Sequence, residues 1–483
     1  MKKFYITAAI PYVNGAPHVG HALEFVQCDV IARYHRQIGN QTILLTGADE
    51  NSLKNVQAAE KEGISTQDLC DRNSKRFQDL ITTYHASFDV FQRSSLPNHF
   101  EGSQELWRRC EKNGDIYKKS YSGLYCVGCE QFYTKEELTP EGLCPEHLTK
   151  PQNVSEENYF FRLSKYQKQI TDLIESDTIQ IIPQTRKNEV LSFVKGGLQD
   201  FSISRSNERA RNWGVPVPDD KTQKMYVWFD ALNVYQTGIG FGSDEKKYNK
   251  IWPADAHVIG KGIIRFHAVY WPAILLSAGL KLPKSILVHG YITIEGQKMS
   301  KSLGNVIDPF ELVKQYGADP VRYYLLREIP TTSDGDFSIR RFKEIYNADL
   351  ANNLGNLLAR VARLCEQSKL TFAPNAIPNE VKESSLRISV DEFIDKFEFH
   401  HALEVIWSSI TELNIYIDKH EPWKLIKEGK TDEVKKVLTY LVEQIRDTGK
   451  LLAPFLPDTS DKIAEVFKGP AIVSQKPLFP RLT

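Results

Sequence analysis

The chain has 483 residues, with 61 Lys+Arg against 61 Asp+Glu, 41% hydrophobic and 25% charged. That length is a soft prior for about three domains, each able to bury a core, and the composition excludes a largely disordered chain. Zero net charge argues against a nonspecific nucleic-acid coat, whose affinity would come from neutralising phosphates, but leaves room for a local basic surface. Seven cysteines do not make a disulfide scaffold in a chain this long. The longest uncharged apolar stretch, Phe266 to Leu280, falls short of the roughly 18 residues of a membrane span and contains Pro272. Lys2 and Lys3 before an apolar run imitate a signal peptide, yet the run stops at Pro11 and reads as a first strand. The expected compartment is the cytoplasm.

Residues 1–115 read as alternating strands and helices. Phe4 to Ala9 is a β-type run, and Ala22, Phe25, Val26, Val30, Ile31 and Tyr34 follow at helical spacing. Gln41 to Thr46 is a second buried strand, and a helix including Leu53 to Glu62 comes after Asp49. Strand, helix, strand in so short a span predicts a βαβ unit and a doubly wound, Rossmann-like parallel sheet. Residues 116–222 turn irregular and read as an insertion, and 223–290 resume the α/β pattern. That second half begins at Lys224 to Phe229 and continues through His257–Gly260, a helix from about Ile264 to Ala278, and the strand Ser285–His289. Residues 291–345 read as a connector. From 346 to 483 the chain is helical, with a stripe at Leu350, Leu354, Leu357, Val361 and Leu364, a break at Pro374 and Pro378, and further helices at Phe393–Ile417 and Val434–Leu452.

Three motifs carry chemistry. Pro17-His-Val-Gly-His21 lies between the first strand and the first helix, where free amides and the positive end of the helix dipole favour phosphate. His18 and His21 share a face and can donate to phosphate oxygens, and Gly20 lets a flat base approach the backbone. Taken alone, the motif also fits a turn with two surface histidines. Lys298-Met-Ser-Lys-Ser302 follows the turn Glu295-Gly-Gln297, and Lys298 and Lys301 three apart suit a loop that clamps a polyphosphate. Alone, it also fits a solvated charge pair. Cys126-Val-Gly-Cys129 with Cys144-Pro-Glu-His147 has the spacing of a closed tetrahedral zinc knuckle. Cys28, Cys70, Cys110 and Cys365 have no such partners and read as buried thiols.

The first two motifs together resemble the signatures of the class I aminoacyl-tRNA synthetases. Their surroundings are most similar to the methionyl branch, particularly its bacterial type with a single zinc knuckle. The residues are Ala9-Ile-Pro-Tyr-Val-Asn-Gly15, Thr46-Gly-Ala-Asp-Glu50, Tyr226-Val-Trp-Phe-Asp-Ala-Leu232, Ile259-Gly-Lys-Gly262 with Phe266-His267, and Val288-His-Gly-Tyr-Ile292. The resemblance runs from Phe4 to Trp423. It implies activation of L-methionine by Mg-ATP to methionyl-adenylate and pyrophosphate, then transfer to the 2′-hydroxyl of the terminal adenosine of tRNA(Met), initiator and elongator.

By residue, the resemblance implies His18, His21, Lys298 and Lys301 as catalytic groups, with Gly20 and Ser300 completing the ATP site. It maps Ile10, Tyr12, Trp228, Ala231, Leu232, Tyr235, His267 and Tyr270 onto a methionine pocket, with Asp49 on the ammonium group. Aromatic rings suit a thioether by about 0.3–1.5 kcal/mol per contact, although Trp228 and Tyr235 by spacing alone fit plain core packing. It assigns Cys126, Cys129, Cys144 and His147 to a structural zinc ion. In the helical region it places Asn356, Arg360 and Trp423 on the anticodon, as stacking plate and edge readers. By spacing alone those three fit a surface helix and a core tryptophan.

Three segments depart from the family pattern: Asn51-Ser52 where His-Gly is usual, Asn233-Val234 where Thr or Ile and then Asn are usual, and Gly262 where Asp is usual. They bear on loop conformation and side-chain support. The isoleucyl, leucyl and valyl enzymes carry editing insertions too large for this length. The cysteinyl enzyme needs its metal in the amino-acid pocket. A non-catalytic tRNA-binding descendant should have lost one signature, and both are present. The chain stops soon after Pro480 without a further module, so a monomer is the expectation. Residues 341–483 hold 20 Lys+Arg against 21 Asp+Glu. Any basic surface there must therefore be assembled by folding.

Overall fold

Six short runs form one parallel sheet: Lys3–Ala8 (β1), Gln41–Ala48 (β2), Val90–Arg93 (β3), Gln180–Ile182 (β4), Ala256–Gly260 (β5) and Ser285–His289 (β6). The structure, a computed structural model, describes residues 2–128, 131–298, 306–374 and 384–482. The spatial order is β3-β2-β1-β5-β6-β4, with Ile6 of β1 registered against Leu44 on one side and Ala256 on the other. The four central strands are mostly apolar and buried, as parallel strands covered on both faces must be, while the edge strands β3 and β4 are mostly half-buried or exposed. The chain leaves β1 in one direction to β2 and β3, and β5 and β6 lie on the other side. The topological switch point, where open α/β sheets hold ligands beyond the strand ends, is therefore between β1 and β5.

The chain divides into two compact units. The first comprises Met1–Pro17, Gln41–Ile81 and Phe88–His289, and the second His18–Asn40, Thr82–Ser87 and Gly290–Thr483. Within the first unit, residues 116–222 hold more regular structure than their sequence suggests. A four-stranded antiparallel sheet runs in the order Gln131–Tyr133, Ile116–Cys126, Gln152–Phe161, Phe201–Ser202. Its long central strands are polar on most of their length and so carry no apolar alternation to read. The same stretch contributes β4, an edge strand paired with β6 of the main sheet.

The run Lys224 to Phe229, where the α/β pattern resumes, divides between two elements. The strand Asp220–Met225 ends there, and Val227–Asp230 is a helical turn followed by turns at Ala231–Asn233 and Val234–Thr237. Over the five apolar residues Met225 to Phe229 periodicity does not separate a buried strand from a buried helical turn. The expected helix from Ile264 has a π-helical stretch, Phe266–Tyr270, before the α-helix Trp271–Ser277 with Pro272 in its first turn.

The second unit is mostly helical, with one small sheet of Gln297–Lys298, Ile292–Ile294 and Gly335–Phe337. The first helix, Val19–Gln37, belongs to this unit. Asp29 on that helix pairs with Arg322 at 2.8 Å, both side chains fully buried. Arg322 also donates to the carbonyls of Tyr84, Pro454 and Phe455, so the buried charge has its hydrogen bonds. The stripe from Leu350 to Leu364 is buried as its spacing predicts. It spans a π-helical stretch, Tyr346–Gly355, and the helix Asn356–Ser368. The helices Phe399–His420, Pro422–Lys427, Thr431–Leu452 and Pro457–Val466 complete this region. The region predicted to hold one helix from Phe393 contains two, Ser385–Asp395 and Phe399–His420. Pro378 lies outside the described residues.

Candidate active site

In the first unit, Ile10 and Tyr12 follow the carboxyl end of β1, Asp49 follows β2, and His267 and Tyr270 follow β5. Tyr12 and Asp49 form an isolated parallel bridge, which continues the β1–β2 pairing past the strand ends. The Asp49 side chain is buried, and Asn55 Nδ2 donates to the Asp49 carbonyl at 2.9 Å. Trp228, Ala231, Leu232 and Tyr235 belong to one buried apolar cluster, with Ile10, Tyr12 and Tyr270 half-buried against it.

The rings are ordered. Tyr12 meets Trp228 edge-on at 6.3 Å, and Trp228 stacks flat on Phe266 at 3.9 Å. Phe266 meets Tyr270 edge-on at 5.3 Å, and Tyr270 stacks on Phe201 at 4.4 Å. The Tyr235 hydroxyl lies 2.8 Å from His267 Nε2, and the Tyr235 ring lies 4.7 Å from that of His257. Burial pushes the His267 pKa down to about 4 and that of His257 well below its ordinary value. The rings of the wall are therefore uncharged, and Asp49 places a buried carboxyl group beside Tyr12 in the backbone pairing, a combination that suits an apolar side chain carried by an ammonium group.

Phe266 and His257 were not among the expected site residues. Phe266 could have been found from its place immediately before His267. His257 carries no local signal, since its partners Thr7 and Tyr235 are far away in sequence.

In the second unit, His18 is the N-cap of the first helix, and the two signature histidines form a reciprocal cap. Gly20 N donates to His18 Nδ1 and His18 N donates to His21 Nδ1, each at 3.1 Å. A ring nitrogen that accepts a backbone N–H carries no proton, so in the neutral rings the proton sits on Nε2. The rings lie 3.9 Å apart, and the first helical turn contains no acidic residue. Two imidazole N–H donors and an uncompensated helix N-terminus thus belong to the same helix end.

Lys298 ends the strand Gln297–Lys298, which returns on Ile292–Ile294 through a two-residue turn, Glu295-Gly296, with both residues at positive φ. That is the turn type a tight hairpin requires. Ser300 and Lys301 lie outside the described residues, so their geometry plays no part here. On the helical bundle, Asn356 is exposed and Arg360 and Trp423 are half-buried. The Arg360 guanidinium lies 5.8 Å from the Trp423 ring centre, and its Nη2 donates to Asp418 at 2.6 Å. Trp423 is not a core residue. Pro422, itself buried, opens its short helix.

In the insertion, one ligand atom from each of Cys126, Cys144 and His147 lies within 4.8 Å of the others, close enough for one metal ion. Cys129 lies outside the described residues. The glycine of the first pair is required: a Cβ on Gly128 would sit 2.5 Å from His147 Cγ. Cys126, Tyr133 and Cys144, with Leu138 against them, form a separate small core.

A phosphate-directed helix N-terminus and a Rossmann-like sheet with an apolar site at its switch point, in a chain ending in a helical bundle, define a class I aminoacyl-tRNA synthetase. The family model "tRNA synthetases class I (M)" matches residues 4–154 and 148–362, and "Anticodon-binding domain of tRNA ligase" matches 382–483. The chain is 42% identical over 490 residues to the methionine–tRNA ligase of Brucella melitensis biotype 1, covering 97% of this chain and 92% of that one. It is 41% identical to that of Thermotoga maritima, covering 95% and 74%. Its structure matches Mycobacterium tuberculosis methionyl-tRNA synthetase in complex with methionyl-adenylate, with a TM-score of 0.92 at 40% identity and full coverage of both chains. The chain belongs to the methionyl-tRNA synthetases, and its activity is the ATP-dependent ligation of methionine to tRNA.

Proposed function

We propose that His18 and His21, through their Nε2–H groups, hold the phosphates of ATP, with Gly20 against the base and Lys298, Ser300 and Lys301 gathering the triphosphate from the opposite signature. Methionine lies along Ile10, Tyr12, Trp228, Ala231, Leu232, Tyr235, His267 and Tyr270, with its ammonium group at Asp49. Its carboxylate oxygen attacks the α-phosphorus, the bond from that phosphorus to the α,β-bridging oxygen breaks, and pyrophosphate leaves with the charge that the histidines and lysines stabilise. The 2′-hydroxyl of the terminal adenosine of tRNA(Met) then attacks the activated carbonyl carbon, and AMP leaves. Positioning and charge stabilisation suffice, since the substrate carboxylate is itself the nucleophile.

The reciprocal cap of His18 and His21 carries this reading, because it commits both Nδ1 atoms to the backbone and leaves the ring proton on Nε2. Mg2+ accompanies the ATP. Cys126, Cys129, Cys144 and His147 hold one structural zinc ion that shapes the insertion, and Asn356, Arg360 and Trp423 read the anticodon of initiator and elongator tRNA(Met). The functional partition follows the chain: catalytic halves at 1–115 and 223–290, insertion at 116–222, lysine-loop connector at 291–345 and anticodon domain at 346–483. The enzyme works as a monomer in the cytoplasm. Consistent with that compartment, among the described residues no helix is long and apolar enough to cross a membrane. The test is ATP–pyrophosphate exchange: it should require methionine, and Lys301→Ala should nearly abolish it. Exchange supported by leucine but not methionine would sink the substrate assignment.

A further inference from the structure

Asn51 stands where the family pattern usually has His, and it makes two buried hydrogen bonds. Its Nδ2 donates to the Ser94 carbonyl at 3.0 Å and to Asp230 Oδ2 at 2.6 Å. Asp230 is fully buried and ends the helical turn Val227–Asp230 that carries Trp228. Asn51 sits two residues after Asp49, in the loop that leaves β2. A single side chain thus ties the loop holding the carboxylate to the segment holding the aromatic wall.

The helix Pro97–Lys112 holds the same segment through polar contacts. His99 on the helix Pro97–Lys112 has Nδ1 2.9 Å from Thr237 Oγ1 and Nε2 3.7 Å from Asp230 Oδ2. Ser103 on the same helix lies 3.2 Å from His99 Nε2 and accepts from Asn233 Nδ2 at 3.5 Å. The Asn51–Asp230 bond is the shortest of these contacts and runs to the other side of the pocket. Asp230 Oδ1 has no hydrogen-bond partner among the described residues, so losing the Asn51 donor strips the carboxylate of its one short bond.

We propose that Asn51 is a positioning residue for methionine. Through Asp230 it sets the separation between Asp49 and Trp228, and so the fit of the amino acid rather than of ATP. This rests on the assignment of Trp228 and Asp49 to methionine. A cavity of about 30 Å3 lined by Asn51, Leu53, Trp213, Met225 and Tyr226, among others, lies against Asn51 and gives a somewhat larger side chain there room to adjust.

The experiment measures KM for methionine and for ATP in pyrophosphate exchange, with melting temperatures, for Asn51→Ala, Asn51→His, Asp230→Asn and Trp228→Ala. Loss of a hydrogen bond to a buried carboxylate should raise the methionine KM of Asn51→Ala by about tenfold while the ATP KM changes less than about twofold. Asn51→His keeps an N–H donor and should stay within about threefold of the parent. Asp230→Asn, which opens no cavity, should raise the methionine KM in the same direction. A methionine KM unchanged in Asn51→Ala, equal rises for methionine and ATP, or a His variant as poor as the Ala variant overturns the proposal while Trp228→Ala still raises the methionine KM. A methionine KM unmoved by Trp228→Ala overturns the pocket assignment and the proposal with it.

Discussion

The Tyr235 hydroxyl donates its proton to Nε2 of His267 across 2.8 Å. The direction follows from the other side of the ring, where Nδ1 lies 3.0 Å from the Ile263 carbonyl, a group that only accepts. Nδ1 therefore carries the hydrogen, Nε2 is an acceptor, and the imidazole is neutral. Burial holds it so, with its pKa near 4. The Tyr235 oxygen faces its surroundings with lone pairs rather than a proton, and the imidazole of His267 adds no positive charge to the wall behind the proposed methionine side chain.

A pH dependence with a definite sign follows. His267 and His257 both have native pKa values below the ordinary histidine value of about 6.5, through burial. Between pH 6.5 and about 4 the unfolded chain binds more protons than the native one at these two sites. Their contribution is fully present above pH 6.5 and is lost as pH falls toward 4. Each buried neutral ring should add up to about 1.4 kcal/mol per pH unit to that slope. Denaturant midpoints at pH 7.5, 6 and 5 should fall in the parent and fall less steeply in His267→Gln, while the methionine KM of the parent stays flat from pH 5.5 to 8. Equal slopes in parent and variant would refute the neutral-ring assignment.

Much of this was legible in sequence, for identifiable reasons. β1 and β2 are continuous apolar runs because both their faces are buried, and the cysteine and histidine spacings survive in any loop that holds a metal. What escaped was long-range or short. β4 has three residues inside a stretch without apolar periodicity, and only its pairing with Ser285–Leu287 makes it a strand. Trp228 sits in a helical turn of four residues, too short for any periodicity to mark its bounds. The bond from Asn51 to Asp230 crosses 179 positions, so nothing local announces it.

The metal assignment makes a prediction at a residue that is not a ligand. Because a methyl group on Gly128 would meet the His147 ring at 2.5 Å, Gly128→Ala must displace either that ring or the turn between Cys126 and Cys129. Its neighbour Val127 has no such constraint in the spacing rule, which asks only for two intervening residues. Elemental analysis should find about one zinc per chain in the parent and in Val127→Ala, and markedly less in Gly128→Ala and Cys144→Ser. Three buried residues make too small a core to hold this module alone, so the zinc-poor variants should also lose protease resistance near residues 126–149. Freshly prepared parent protein without zinc would remove the assignment.

The anticodon assignment separates two activities that share one chain. Trp423 is half-buried at a helix start, with the Arg360 guanidinium 5.8 Å from its ring centre, so one face of the indole is backed by a cation and a base can stack only where the ring is open. Stacking of one base on an aromatic side chain contributes about 1–3 kcal/mol, which is roughly tenfold to a hundredfold in affinity. The residues from 341 onward are nearly balanced in charge, so nonspecific attraction offers little to compensate for that loss. Trp423→Ala should therefore leave methionine-dependent pyrophosphate exchange unchanged and raise the KM for tRNA in aminoacylation by at least about tenfold. Arg360→Gln should act in the same direction and lower the salt dependence of tRNA binding, as expected if its charge faces phosphate or base. Aminoacylation at the parental rate in Trp423→Ala, at tRNA concentrations below KM, would show that this indole is not the stacking plate.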